Sequence, residues 1–150
     1  SDRPLPLRKH DFSQAVIEIC AVTQWGELDY LVIDMPPGMA DATLDVIRLI
    51  KDINFCIVAI PSKVAMEAVN KTVKMLRESG VPIIGGIENM AREGFSSRED
   101  IEKLNMPFLG EIKFDPGLEQ ATGNAERFMK TDFAGDVTEI IDKTGELKER

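Results

Sequence analysis

Four apolar runs in the chain each lead into residues able to do chemistry. Tyr30–Asp34 ends on a carboxylate and turns through Pro36, Pro37 and Gly38. Phe55–Ile60 runs into Pro61 and Ser62, Pro82–Ile87 into Glu88 and Asn89, and Pro107–Ile112 leads on to Asp115 and Pro116. A carboxylate at such a point can hold a water of hydrated Mg²⁺, and a following glycine lets a backbone N–H approach a phosphate oxygen without a side chain between them. A plainer reading is open beside it, in which Asp34 only caps the turn and Pro36-Pro37-Gly38 only reverses the chain. The run itself does not decide between the two.

The elements that would position these groups follow from periodicity. The four runs are continuous rather than alternating, as strands covered on both faces are, so they are expected to be parallel and central. Between them lie helical faces: Phe12, Val16, Ile19 and Cys20; Leu44, Ile47 and Ile50; Ala65, Ala68, Val69, Thr72 and Leu76; and Phe133, Val137, Ile140 and Ile141. Gly26, Gly80 with Pro82, and Asp132 punctuate the helix ends. Strands alternating with amphipathic helices predict an α/β fold, a mainly parallel sheet with helices on both faces. Ligands of such sheets sit outside the carboxyl ends of the strands, where Asp34, Asn89 and Asp115 are expected to gather.

Composition narrows the function. A chain of 150 residues, 43% of them apolar, suits one domain, residues 1–150, with a sizeable core and no dividing linker. A formal net charge of −8 argues against a nucleic-acid partner. No stretch reaches 18 apolar residues, and "SDRPLPLRKH" lacks the apolar centre of a signal peptide, so no membrane insertion is expected, while two cysteines far apart in the chain suit a cytoplasmic protein better than a secreted disulfide framework. Cys20 and Cys56 lie in apolar segments and read as reduced core thiols. His10, the single histidine, reads as a solvated side chain in a proline-flanked leader, and "REGFSSREDIEK" as an exposed loop entering a helix with Ser96 or Ser97 as its cap. Met35 and Met39 read as packing residues.

The blocks "LDYLVIDMPPG", "IPSKVAMEAVNKTVKML", "VPIIGGIENM" and "MPFLGEIKFDPGLEQA" together resemble the second half of the Mrp/Nbp35 family, P-loop ATPases related to the MinD and ParA proteins. The likeness implies an incomplete P-loop NTPase fold. It also implies an ATP-binding protein, usually a homodimer with nucleotide at the interface, whose commonest role is to carry iron–sulfur clusters to apo-proteins. Carried over by position, Asp34 corresponds to the Walker B carboxylate that holds Mg²⁺ through water, and Gly38 to the switch glycine near the γ-phosphate. Asn89 corresponds to the adenine-contacting asparagine, and Asp115 and Pro116 to the loop that passes the base.

Three features depart from that family. No K-G-G-x-G-K-[ST] Walker A loop occurs in these residues, and "IIGGIEN" carries its adjacent glycines on the adenine-side strand without a following Lys-Ser or Lys-Thr. ATP and Mg²⁺ are therefore expected only where a Walker A half is supplied. Met39 and Ala40 replace the usual Thr-Gly of the switch, and no Cys-x-x-Cys follows Glu88-Asn89-Met90, so no iron–sulfur cluster is expected on this chain. In the family's sheet the P-loop strand lies beside the Walker B strand, and its absence would leave an open edge that a P-loop-bearing partner segment or a homo-oligomer would fill. Two functions stand side by side: part of an Mrp/Nbp35-like ATPase, or a non-catalytic protein- or ligand-binding module on a degenerate nucleotide-binding scaffold.

Overall fold

The structure, a computed structural model, describes residues 9–35 and 41–148, which fall into two compact units, Ser1–Ile53 and Asn54–Arg150. The first unit holds helices α1 (Lys9–Val22) and α2 (Asp41–Leu49), packed against each other. His10 is part of α1, so the expected irregular leader is helical there. The Trp25 indole N–H donates to the Cys20 carbonyl at 3.3 Å and ties the end of α1 to the segment that follows.

That segment departs from expectation. Residues 30–35 form no strand, and Tyr30, Leu31, Val32 and Ile33 are all exposed, Val32 at 91%. An extended run becomes a strand only when a neighbouring strand accepts and donates its backbone hydrogen bonds. No strand is formed at 30–35, and the apolar pattern alone could not reveal this.

The second unit runs β1 (Phe55–Ala59), α3 (Lys63–Glu78), β2 (Ile83–Ala91), α4 (Arg98–Lys103), β3 (Phe108–Lys113), then the single turns α5 (Leu118–Ala121) and α6 (Ala125–Phe128), and α7 (Asp132–Lys148). Its sheet is parallel throughout, in the order β1-β2-β3, with helices as the crossovers. Three of the four expected strands are therefore present. β2 extends past Ile87 to Ala91, which carries Glu88 and Asn89 into the ladder. Leu109, Ile112 and Ile140 form a buried cluster with Ile84, Ile87, Phe133 and Val137 around it, so α7 closes over β3.

Local details show how the sequence stops and starts its helices. α3 buries Met66, Val73 and Leu76, a stripe rotated from the expected one so that Ala68 is exposed. Gly80 ends it in the left-handed region at φ 69°, where the Gly80 N–H reaches Arg77 O and the Val81 N–H reaches Leu76 O. Arg77 then donates to the carbonyls of Leu104 and Asn105, fastening α3 to the turn before β3. At α7 the cap is Thr131 rather than Asp132, since the Thr131 hydroxyl accepts the Ala134 N–H at 3.2 Å. Ile141, expected on the packed face, is exposed while Ile140 is buried.

The adjacent glycines of β2 have a packing role. A Cβ on Gly85 would lie 2.7 Å from the Pro107 carbonyl oxygen and 2.6 Å from Leu109 Cγ, and one on Gly86 would lie 2.7 Å from Ile101 Cγ2. Backbone oxygen cannot swing aside as a side-chain tip can. Gly85→Ala should therefore destabilise the second unit by about 1–3 kcal/mol, the usual range for overpacking a tight interior. A urea midpoint that did not fall in that variant would contradict the close approach.

Candidate functional site

Because β1, β2 and β3 are parallel, their carboxyl ends lie along one edge of the sheet, and that edge is where open parallel sheets bind ligands. It brings together the ends of β1 at Ala59, β2 at Glu88–Ala91 and β3 at Lys113. Asn89 pairs in register with Ile112, and the Phe114 N–H donates to the Ala91 carbonyl at 3.1 Å, so the chain from Phe114 to Pro116 leaves β3 next to the end of β2. Asn89 and Asp115 thus share the edge on which they were expected. Both are partly buried, and Pro116 is exposed.

Each of the two polar side chains is held by a local hydrogen bond. Asp115 Oδ1 accepts the Gly117 N–H at 2.8 Å, a short turn that opens α5 and leaves the second carboxylate oxygen outside that bond. Asn89 Oδ1 accepts the Met90 N–H at 2.8 Å. Met90 itself lies at φ 58°, and the β2–β3 register shifts between Asn89 and Ala91, so Met90 is a bulge residue in the left-handed region. Beyond it, the Arg92 guanidinium stacks 4.6 Å above the Phe114 ring centroid, joining the two loops of this edge.

Glu88, which the sequence placed among the edge residues without a role, is fully buried. Its Oε2 accepts from the Ser97 N–H, the Ser97 hydroxyl and the Ser96 hydroxyl, the last at 3.2 Å. A buried carboxylate requires such donors, because desolvation without them is prohibitive. Ser97 stands at the cap position of α4, yet its hydroxyl is given to Glu88, and the segment expected as a wholly exposed loop contains a residue only 2% exposed. The sequence signal was a glutamate directly after an apolar run. Its partners eight and nine residues on were not readable.

The other expected residues lie elsewhere. Asp34 belongs to the first unit and is exposed. Gly38, with Pro36 and Pro37, lies outside the described residues. Among the described residues no group of three or more His, Cys, Asp or Glu side chains is placed to hold a metal ion, and no helix is long and apolar enough to cross a membrane.

The cysteines correct another expectation, since Cys20 and Cys56 are both exposed rather than core residues. β1 alternates: Ile57 and Ala59 are buried while Cys56 faces outward and Val58 is 57% exposed, so one face of this strand is uncovered among the described residues. Although Cys56 is exposed as a residue, its thiol is partly shielded, and that desolvation pushes its pKa above the ordinary thiol value of 9.0. Since the thiolate is the nucleophile, alkylation of Cys56 by iodoacetamide should still be accelerating above pH 9.0. A rate that levelled off below that pH would show an unshielded thiol.

The fold is that of the MinD/ParA P-loop NTPases: the septum site-determining protein MinD complexed with Mg-ADP from Pyrococcus horikoshii superposes with a TM-score of 0.69 at 17% identity, covering 91% of this chain and 56% of that one. MinD from Aquifex aeolicus gives 0.66 at 18% identity, covering 98% and 63%. The sequence matches the ParA family described as NUBPL iron-transfer P-loop NTPase over residues 1–146, and the chain belongs to that family. An iron-sulfur cluster carrier protein of Saccharolobus solfataricus is 33% identical over 143 residues, 85% of this chain and 48% of its own length. One from Aquifex aeolicus is 38% identical over 140 residues, 83% of this chain and 38% of its own. The cytosolic Fe-S cluster assembly factor NUBP2 of Rattus norvegicus is 33% identical over 139 residues, 79% and 51%. The chain thus spans about half, or less, of the length of these curated relatives.

Proposed function

We propose that these residues form the adenine-side portion of an ATP-binding iron–sulfur cluster carrier of the Mrp/Nbp35 type, a single fold across residues 1–150 that works in the cytoplasm as an oligomer or with a P-loop-bearing segment. The observation that carries this reading is the family match over residues 1–146 together with Asn89 and Asp115 at the carboxyl edge of a parallel sheet. Mg²⁺-ATP, when bound, supplies the phosphoanhydride whose cleavage would drive cluster handling. Asn89 donates to the base from its amide, and the Asp115–Pro116 loop borders it. By correspondence with the family, Asp34 would hold a water of the hydrated Mg²⁺, and Gly38 would take the place of the switch glycine. The carrier names of the relatives favour this reading over a non-catalytic binding module.

The division of labour makes distinct predictions. The 150 residues alone should bind ATP weakly and not turn it over, because base contacts face the entropy of ordering a triphosphate without a phosphate clamp. Supplied with a Walker A half, Asp34→Asn should lower phosphate release by about 10- to 100-fold, as loss of a metal's outer-sphere partner does. Asn89→Ala should instead weaken ADP binding by about fivefold to tenfold, the scale of one lost hydrogen bond. Turnover by the 150 residues that survived Asp34→Asn would refute the assignment.

The cargo is a separate matter. Cys20 and Cys56 lie in different units and have no Cys-x-x-Cys companion, so any cluster is expected to be ligated elsewhere. Anaerobic reconstitution with iron and sulfide should leave these residues without a stoichiometric cluster. A charge-transfer spectrum abolished by Cys20→Ala or Cys56→Ala would show the opposite.

A further inference from the structure

The strand end that carries Asn89 is built from two features that ordinary folding would avoid: a wholly buried carboxylate at Glu88 and a methionine in the left-handed region at Met90. They bracket Asn89. Leaving the ladder frees the Met90 N–H to donate to Asn89 Oδ1 at 2.8 Å. An N–H requires an acceptor, so the carboxamide must turn its oxygen toward Met90 and its NH₂ group away. Asn89 is therefore not a freely rotating amide but one with a fixed donor end.

Met90 holds this conformation only while its surroundings impose it, since a side chain with a Cβ is disfavoured there. The imposing element is the loop from Met90 to Ser97, pinned at both ends. At the near end, Ala91 pairs in register with Lys113, and its carbonyl accepts the Phe114 N–H. At the far end, Ser96 and Ser97 are drawn onto Glu88 Oε2. Between them the chain reverses in a tight turn, with the Phe95 N–H on Arg92 O at 3.2 Å and Gly94 at φ 80°. The loop has little slack. Glu88 gives one oxygen to three donors and has its other oxygen, Oε1, without a partner, an arrangement that serves the loop more than the carboxylate.

We propose that Glu88 is a positioning residue for Asn89. By fastening Ser96 and Ser97 beneath the sheet edge it keeps Met90 in its bulge, and so presents the Asn89 NH₂ as a fixed donor to a ring-nitrogen acceptor of a purine. The purine rests on the adenine reading above; the positioning does not.

The test uses the full chain and adenosine, which probes the base contact without a phosphate site. Nuclear magnetic resonance would follow two signals, hydrogen exchange at the Met90 amide and the Asn89 side-chain NH₂ pair. Glu88→Ala should speed Met90 exchange by up to about tenfold, the equivalent of one lost hydrogen bond, and shift the Asn89 NH₂ pair toward that of a free amide, with β1 and β3 core amides unchanged. Glu88→Gln, which retains an acceptor oxygen for Ser97, should restore most of both signals. Should Glu88→Ala not fold, Ser97→Ala removes one donor from an intact Glu88 and should move the same two signals by a smaller amount. Unmoved signals in the folded variants, or a change spread evenly over all core amides, would overturn the proposal. Adenosine should shift the Asn89 NH₂ pair in the wild type and not in Glu88→Ala. If adenosine leaves the wild-type pair unmoved while Met90 exchange still answers to Glu88, the positioning stands and the adenine reading falls.

Discussion

Strand β2 is the only strand of the described sheet bonded on both sides, to β1 and to β3, and the rest of the second unit depends on that double ladder. Parallel pairing sends all three carboxyl ends to one edge. It also obliges the connections to cross over as helices, which brings α3 and α4 against the sheet. For the ladders to close where α4 and β3 approach, β2 must be thin, and Gly85 and Gly86 make it so. Chemistry and packing are therefore consecutive along one strand: two residues that admit neighbours, then Glu88, Asn89 and Met90, which build the edge.

Electrostatics at that edge is economical in groups. Glu88 is the buried charged side chain of the described core, and its hydrogen bonds all run to the segment that returns from the edge. Surface ion pairs such as Arg98 with Glu102 or Lys143 with Glu139 run along single helices and are solvated, so they contribute little to the architecture. Order at the site comes from short-range constraints on the backbone: the Asp115–Gly117 turn, the Met90 bulge, and the Arg92–Phe114 stack. These fix side chains without needing a ligand, which is the condition for low-entropy binding.

Among the described residues the first unit carries much exposed apolar surface. Ile19, Val22, Trp25 and Leu28 are exposed along with the run from Tyr30 to Ile33, and the chain covers 48% or less of the two carrier proteins it resembles. Apolar residues in such density are ordinarily covered in a folded protein. The outward face of β1, with Cys56 and Val58, has the same character.

By itself the sequence determined the α/β class, three of the strands, the approximate positions of the longer helices and the placing of Asn89 and Asp115 at a common edge. Those properties follow from hydrophobic period and from residues such as Gly80 that act locally, and neither depends on what lies across space. Tertiary structure decided the rest. Tyr30–Asp34 had a strand's composition, but a strand exists only as one side of a ladder. Cys56 sat in an apolar run, but on a strand with one uncovered face alternate residues point outward. Glu88 was visible as a polar residue following an apolar run, whereas its place within the strand and its partners Ser96 and Ser97, from a loop whose path no local pattern encodes, were not. Period is a property of neighbours in the chain; burial, pairing and the fate of a buried charge belong to neighbours in space, and those were set only when the chain had folded.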